Sequence, residues 1–282
     1  MPVRRLLPRR ACRRVGAWVF LDHFGPTDGS AMHVPPHPHI GLQTVTWLLE
    51  GEVEHLDSLG SRQVIRPGQL NWMTAGEGIV HAELGRHGRA HGVQLWVALP
   101  REAAHGAPSF AHHAALPEVV RDGARVTVLA GTVAGATSPA VTHTPLSAAD
   151  LRLDAGTDLA WSLEPAHEHG VAVLEGEVVV AGHALAPGVL LYLPPGTPAV
   201  QLVATGPARL MVIGGAPLDD ELVLYWNFVA RSREEVVEAV ARWRNGGFAR
   251  VPGYDGPGLP APPEPAPTLR AVAPWGPSEG SP

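Results

Sequence analysis

One five-residue pattern occurs twice in this chain and restricts what it can fold into. Leu49-Glu50-Gly51-Glu52-Val53 returns as Leu174-Glu175-Gly176-Glu177-Val178. Each copy is followed by a Pro-Gly turn, Pro67-Gly68 or Pro187-Gly188, and then by an apolar run. A glycine- or proline-rich turn comes next, Ala75-Gly76-Glu77-Gly78 or Pro194-Pro195-Gly196. Four features in the same order indicate a duplicated domain, and 282 residues are enough for two domains of ordinary size. The boundary is expected near Pro117, giving units over 1–117 and 118–251. A third segment, 252–282, gathers Pro257, Pro260, Pro262, Pro263, Pro265 and Pro267 with little apolar periodicity. It is expected to be disordered or extended, with no core of its own.

Within each unit the local pattern is that of strands. Short runs such as Val45-Thr46-Trp47-Leu48-Leu49, Val93-Gln94-Leu95-Trp96-Val97, Val126-Thr127-Val128-Leu129 and Val189-Leu190-Leu191-Tyr192-Leu193 are rich in β-branched and aromatic residues. Glycine and proline bound them at short intervals, which reads as an all-β barrel or sandwich. One segment reads as a helix. Ser232-Arg233-Glu234-Glu235 forms a capping box, Val236, Val237, Val240 and Trp243 make a helical stripe, and Gly246-Gly247 ends it.

Composition excludes several classes. The net charge of -6 gives no electrostatic case for direct nucleic-acid binding. The arginine-rich start, Arg4 to Arg14, has no long apolar stretch or small-residue cleavage site behind it, so a secretory signal is not expected. No apolar run approaches the ~20 residues of a membrane-spanning helix. Cys12 is the only cysteine, which excludes an intrachain disulfide. Every basic residue is arginine, so Schiff-base chemistry on lysine is excluded. A soluble, cytoplasmic monomer is the expectation.

The chemistry is concentrated in two short pairs, His37-Pro38-His39 and His81-Ala82-Glu83. In a strand, residues i and i+2 point to one face, about 7 Å apart. Each pair can therefore aim two side chains into one cavity. Three imidazoles and a carboxylate suit a first-row divalent metal, with roughly two octahedral positions left open. The second copy lacks this set. Aligning Gly51 with Gly176 places Ser162 and Glu164 opposite His37 and His39. Aligning Gly78 with Gly196 places Ala199 and Gln201 opposite His81 and Glu83. His167 and His169 also stand two apart, but they sit at a different spacing from Gly176 and read as a loop or strand-end pair. Histidines 23, 33, 55, 87, 91, 105, 112, 113, 143 and 183 read as isolated or surface-like. Gln94 is a candidate partner for the second nitrogen of a ligating imidazole. Trp47, Trp72, Trp96 and Phe24 are candidates for an apolar pocket wall, with core packing the ordinary alternative.

Longer motifs around these residues resemble the pirin family of bicupins. They are Phe20-Leu21-Asp22-His23-Phe24-Gly25-Pro26, His37-Pro38-His39-Ile40-Gly41-Leu42, Asp57-Ser58-Leu59-Gly60, Asn71 through Glu83 and His91-Gly92-Val93-Gln94-Leu95-Trp96-Val97. In the second half Gly214-Gly215-Ala216-Pro217-Leu218 and Trp226-Asn227-Phe228-Val229 are also pirin-like. The resemblance covers roughly residues 3–254. It implies an all-β protein of two cupin (jelly-roll type) β-barrels packed face to face, with one short C-terminal helix. The family's iron ligands map onto His37, His39, His81 and Glu83. Gln43 stands where many single-site cupins place a carboxylate ligand, a position that pirins also leave without one. Pirins usually carry a further N-terminal segment before the Val3-Arg4-Arg5 stretch, so the edge pairing of the sheets is an open question.

The resemblance implies one Fe(2+) per chain, with Cu, Ni, Co or Mn compatible with the donors and Zn less so. Pirins are similar to cupin quercetinases, and several bacterial members are assigned quercetin 2,3-dioxygenase activity. In that reading a metal-chelating flavonol or phenol is the substrate, and Glu83 acts as ligand and proton acceptor. The family is also described as partnering transcription factors and metabolic enzymes, which leaves a non-enzymatic, redox-dependent regulator as the alternative.

Overall fold

The computed structural model describes residues 1–86 and 88–271. Among these, regular structure is almost wholly strand, with one 3-10 turn, Gly29–Ala31, and one α-helix, Arg233–Arg244. The duplication appears as two sandwiches, each a six-stranded sheet facing a four-stranded one. In the first, the larger sheet runs Val3–Leu7, Trp18–Asp28, Arg89–Ala98, Leu42–Glu50, Leu70–Thr74, Ser109–His113. Its smaller sheet runs His33–His39, Ile79–Gly85, Val53–Asp57, Arg62–Ile65. In the second sandwich, Leu146–Leu153 and Ala208–Gly215 lie at the centre of the larger sheet, and Thr157–Ser162 pairs with Ala199–Ala204 in the smaller. The edge pairing left open by the sequence is Val3–Leu7 against Trp18–Asp28, with Val3 opposite Phe24.

The repeated Glu-Gly-Glu marks the turn where the chain leaves the large sheet for the small one. Leu42–Glu50 passes to Val53–Asp57 there, and Glu168–Glu175 passes to Val178–Val180. Gly51 has φ +87° and Gly176 φ +74°, a region that favours glycine. A Cβ on Gly51 would also stand 1.7 Å from the Arg89 carbonyl oxygen, so the repeat persists for steric reasons.

The two large sheets pack face to face. Alternation along Leu42–Glu50 sends Val45, Trp47 and Leu49 into a core shared with Leu129, Ala148, Ala172, Leu174, Met211 and Ile213. Thr46, between them, faces the interior of the first barrel, where its hydroxyl meets Glu83. Polar groups crossing the shared core are paired. Trp47 Nε1 donates to Asp150 Oδ2 at 3.0 Å, and Arg209 Nε donates to Asp150 Oδ1 at 2.9 Å. Asp150 is fully buried, so its guanidinium partner is what makes the charge tolerable.

The helix behaves as its sequence indicates at the N-terminus, where Ser232 Oγ accepts from Glu235 N at 3.2 Å. Its buried face is Val236, Ala239 and Val240, with Val237 turned partly outward. The helix follows the second barrel in sequence but packs on the first. It shares a cluster with Leu56 and Val80 from the outer face of the small sheet, and with Val223 and Phe228 from the hairpin Val223–Tyr225/Phe228–Ala230. Residues 252–271 of the proline-rich segment are without helix or strand, and they are tied to the body. Leu259 N donates to the Pro36 carbonyl at 2.8 Å, Trp243 Nε1 to the Leu259 carbonyl at 2.9 Å, and Tyr225 Oη to the Pro263 carbonyl at 2.9 Å. The rest of that segment, 272–282, lies outside the described residues. Among the described residues no helix is long and apolar enough to cross a membrane.

Two histidines read as isolated are buried at this interface. His23 and His91 bring their Nε2 atoms to 2.7 Å, and His91 Nδ1 lies 3.5 Å from Glu175 in the second barrel. Their environment explains the correction, since both point from the large sheet into the shared core rather than into solvent. Burial, then His91 and Arg4, pull the His23 pKa down from 6.5 to about 4. Between those pH values the unfolded chain binds the proton and the folded chain does not, so stability falls as pH drops from 6.5 toward 4. For His23 the loss between pH 7 and pH 5 is about 2 kcal/mol. Urea denaturation of wild type and His23→Gln at both pH values measures it. The variant should lose about 2 kcal/mol less on acidification, and an equal loss in both proteins would contradict the assignment.

Candidate metal centre

His37 and His39 lie on one face of His33–His39, whose last four residues are buried. The adjacent antiparallel strand, Ile79–Gly85, places His81 directly across from His37. Glu83, two residues further on, has its side chain in the same interior and lines the same cavity. The donor atoms of His37, His39 and His81 all fall within 4.8 Å of one another. Glu83 is not part of that tight group; its Oε1 accepts from Thr46 Oγ1 at 3.2 Å. The same hydroxyl lies 3.0 Å from Gln94 Oε1, so one proton is shared between two acceptors. In the second barrel the strand pair equivalent to His37 and His81 carries Ser162 opposite Ala199. His167 and His169 have ring centroids 6.2 Å apart, and no metal-binding group forms around them among the described residues.

Hydrogen-bond partners fix which nitrogen of each imidazole is free. His37 Nδ1–H donates to the Pro35 carbonyl and His39 Nδ1–H to the Asn227 carbonyl, each at 2.9 Å. For His81 the tautomer is set by a relay. Asp57 Oδ2 accepts from His55 Nε2–H at 3.0 Å, which leaves His55 Nδ1 to accept from His81 Nδ1–H at 3.4 Å. All three Nε2 atoms are therefore left with lone pairs, and those of His39 and His81 stand 3.1 Å apart. Two lone pairs at that distance with no proton between them repel, and a cation relieves the repulsion. The spacing also matches the ~3.0 Å expected for two cis nitrogens, each about 2.1 Å from a first-row ion. The donors present fit a metal ion.

Electrostatics favour the same state. Burial pushes the His37 pKa down to about 4 and holds His39 and His81 well below the ordinary range, so all three are neutral ligands at neutral pH. Burial raises Glu83, against the opposing influence of His55 and the Thr46 hydroxyl. Burial would also raise Asp57. The hydrogen bonds from His55 and Ser61 outweigh it and keep Asp57 ionised, as the relay requires.

Beside the donors lies a cavity of about 190 Å³. Phe20, Phe24, Met32, Val34 and Trp96 form its apolar wall, with Phe20 and Trp96 stacked at 4.0 Å. The Arg5–Asp22 ion pair sits at the large-sheet side, with the guanidinium 4.2 Å from the Phe20 ring centre. Two of the four aromatic candidates, Phe24 and Trp96, are in the wall. Trp47 and Trp72 are instead in the core between the sheets, because odd-numbered and even-numbered positions face opposite sides on their respective strands. Gln94 reaches Thr46 rather than a ligand imidazole, and the outer nitrogens of His37 and His39 are taken by backbone carbonyls. Gln43 is bonded to Thr74 and to the Val141 carbonyl of the second barrel.

His55 is the clearest correction. Read from sequence as isolated or surface-like, it is buried, stacked on Phe110 at 4.2 Å, and part of the relay to His81. His55-Leu56-Asp57 is itself an i, i+2 pair, the same signal as His37-Pro38-His39, and could have been found that way. His87 lies outside the described residues. The Asn227 carbonyl had no sequence signal, because it arrives from the far end of the chain. Its hairpin joins the site strand through Val229 N donating to the Ile40 carbonyl at 3.1 Å. Gly41, with φ +68°, permits this approach, since a Cβ there would stand 2.1 Å from the Val229 carbonyl oxygen.

The sequence matches the pirin profile over residues 1–97 and the profile for the pirin C-terminal cupin domain over residues 148–249. Protein PA1205 of Pseudomonas aeruginosa, provisionally named a quercetin 2,3-dioxygenase, is 46% identical over 270 residues, which cover 93% of this chain and 86% of that protein. A pirin-like protein of Caulobacter vibrioides is 39% identical, covering 90% of this chain and 91% of its own. Among solved structures, a quercetin 2,3-dioxygenase from Acinetobacter baumannii superposes with a TM-score of 0.92 at 42% identity, covering 95% of this chain and 92% of that one.

The relay gives a test of the site that needs no substrate. Asp57→Asn removes the charge that orients His55 and should weaken cobalt(II) binding about 10–100-fold, read by absorbance titration with melting temperature as the folding control. Unchanged affinity in a folded variant would contradict the relay.

Proposed function

The chain belongs to the pirin family, and on that premise we propose that it is a mononuclear iron-dependent dioxygenase of the quercetin 2,3-dioxygenase type, acting on a metal-chelating flavonol or phenol. The observation that carries this reading is the convergence of three Nε2 lone pairs at one end of an aromatic-walled cavity. His37, His39 and His81 would hold the metal, with Glu83 as the fourth ligand. When bound, iron(II) supplies Lewis acidity toward a phenolate and redox chemistry toward dioxygen. The names of the Pseudomonas and Acinetobacter relatives support the reaction type.

The chain's own residues would do the remaining work. Phe20, Phe24 and Trp96 offer flat apolar surface to a substrate ring and keep water from it. Glu83 is buried in the wall of the same cavity as the donors, which places its carboxylate to take the substrate hydroxyl proton. The Thr46 hydroxyl holds that carboxylate from behind. At about 190 Å³ the cavity is smaller than the roughly 300–1,000 Å³ that encloses a drug-sized ligand. The chelating ring would enter, and the remainder of a flavonol would lie beside the exposed Met1 and Val3.

Oxygen consumption by iron-loaded protein tests this directly. Quercetin or a smaller chelating phenol should drive uptake, His37→Ala should lose both metal and uptake, and Glu83→Gln should cut turnover about 10²–10⁴-fold. No uptake with Fe, Cu, Ni, Co or Mn across a flavonoid and phenol panel would contradict the enzyme reading.

A further inference from the structure

A second cavity, of about 470 Å³, opens where the N-terminal hairpin meets the segment leaving the second barrel. Among the described residues its wall contains five arginines, Arg9, Arg10, Arg13, Arg14 and Arg270, and no carboxylate. Such clustering is unexpected in a chain of net charge -6. Nine other arginines, Arg5 and Arg231 among them, are paired with acids, whereas none of these five has an ion pair among the described residues.

The five differ in what they can still bind. Arg14 is buried and donates to the backbone carbonyls of Leu218 and Asp220. Arg9 donates to the carbonyls of Arg5 and Gly188, and Arg270 to those of Pro267 and Leu269. Arg10 and Arg13 are exposed and have no hydrogen-bond partner among the described residues. The acids whose field reaches Arg14 are Glu168, Asp220 and Asp219. Glu168 is already held by Gly16 N and Tyr192 Oη, and Asp220 by Arg101 and Arg231. Asp219 is exposed and outside the wall. Between the guanidinium groups the floor is apolar, made by Leu222, Leu224 and Leu269.

We propose that this recess binds an amphiphilic organic anion, a carboxylate whose hydrocarbon part lies on Leu222, Leu224 and Leu269 while Arg10 and Arg13 hold its head. The guanidinium fork matches a carboxylate in two-point geometry, and an anion removes the mutual repulsion of the cluster. The leucine floor selects against inorganic anions, which gain nothing from it. The recess is lined by none of the metal donors, so it would be a binding site separate from the redox centre.

Calorimetric titration of the metal-loaded full chain with octanoate tests the proposal, with octan-1-ol as the uncharged control. Octanoate should bind, octanol at least about tenfold more weakly, and Arg10→Ala/Arg13→Ala should weaken octanoate about tenfold or more. Both arginines are exposed, so the double variant should melt as wild type does. Equal binding of octanol and octanoate, or no octanoate binding up to about 10 mM, would overturn it. So would binding that survives in the double variant and disappears in His37→Ala, since the anion would then sit at the metal.

Discussion

The apolar faces of two six-stranded sheets cover each other, and the rest of the molecule depends on that contact. A sheet buried on both sides must be filled on both sides. In the second barrel the interior is an ordinary apolar core, with Val126, Val128, Trp161 and Leu202 among its residues. In the first barrel the interior holds histidines, threonines and a glutamate, groups that add little hydrophobic stabilisation. The first barrel tolerates this because Val45, Trp47, Val93 and Leu95 bury their own side of the sheet against the second. A second apolar cluster, built from the helix and the terminal hairpin, covers its small sheet. Duplication thus supplied a supporting barrel, and the polar interior of the other copy could take up the donor set.

The same architecture brings distant chain segments to the donors. The hairpin after the second barrel lies against the donor strand and presents the Asn227 carbonyl to His39. Leu259, from the proline-rich segment, caps the Pro36 carbonyl one residue before His37. With Asp57 and His55 acting on His81, every imidazole in the group is oriented by a group outside it. Three neutral rings with converging lone pairs are therefore a property of the whole chain, although the rings themselves come from two adjacent strands.

Much of this was legible in the residues, for reasons that also explain the misses. The Glu-Gly-Glu repeat is set by a backbone conformation that local sequence supplies, so it was readable as the mark of a duplicated domain, while its place at a turn between sheets was not. The i, i+2 spacing of His37 and His39 survives into the structure because a strand leaves the side chains no other arrangement. Which face a tryptophan takes is decided by register, so Trp47 and Trp96 looked equivalent until one proved to be core and the other cavity wall. His23 and His91 looked like surface residues because they are polar, yet each is buried by the opposite barrel. The helix was visible from its cap and stripe. Its docking on the first barrel depends on contacts with Leu56 and Val80, far away in sequence, and could not be read locally.

The most direct check on this account is the metal content of protein purified without chelator, compared between wild type and His81→Ala/Glu83→Ala. Three converging lone pairs backed by a buried carboxylate should retain about one first-row metal ion per chain, and the double variant, folded by its melting curve, should retain almost none. Equal metal content in the two proteins would contradict the assignment of the site.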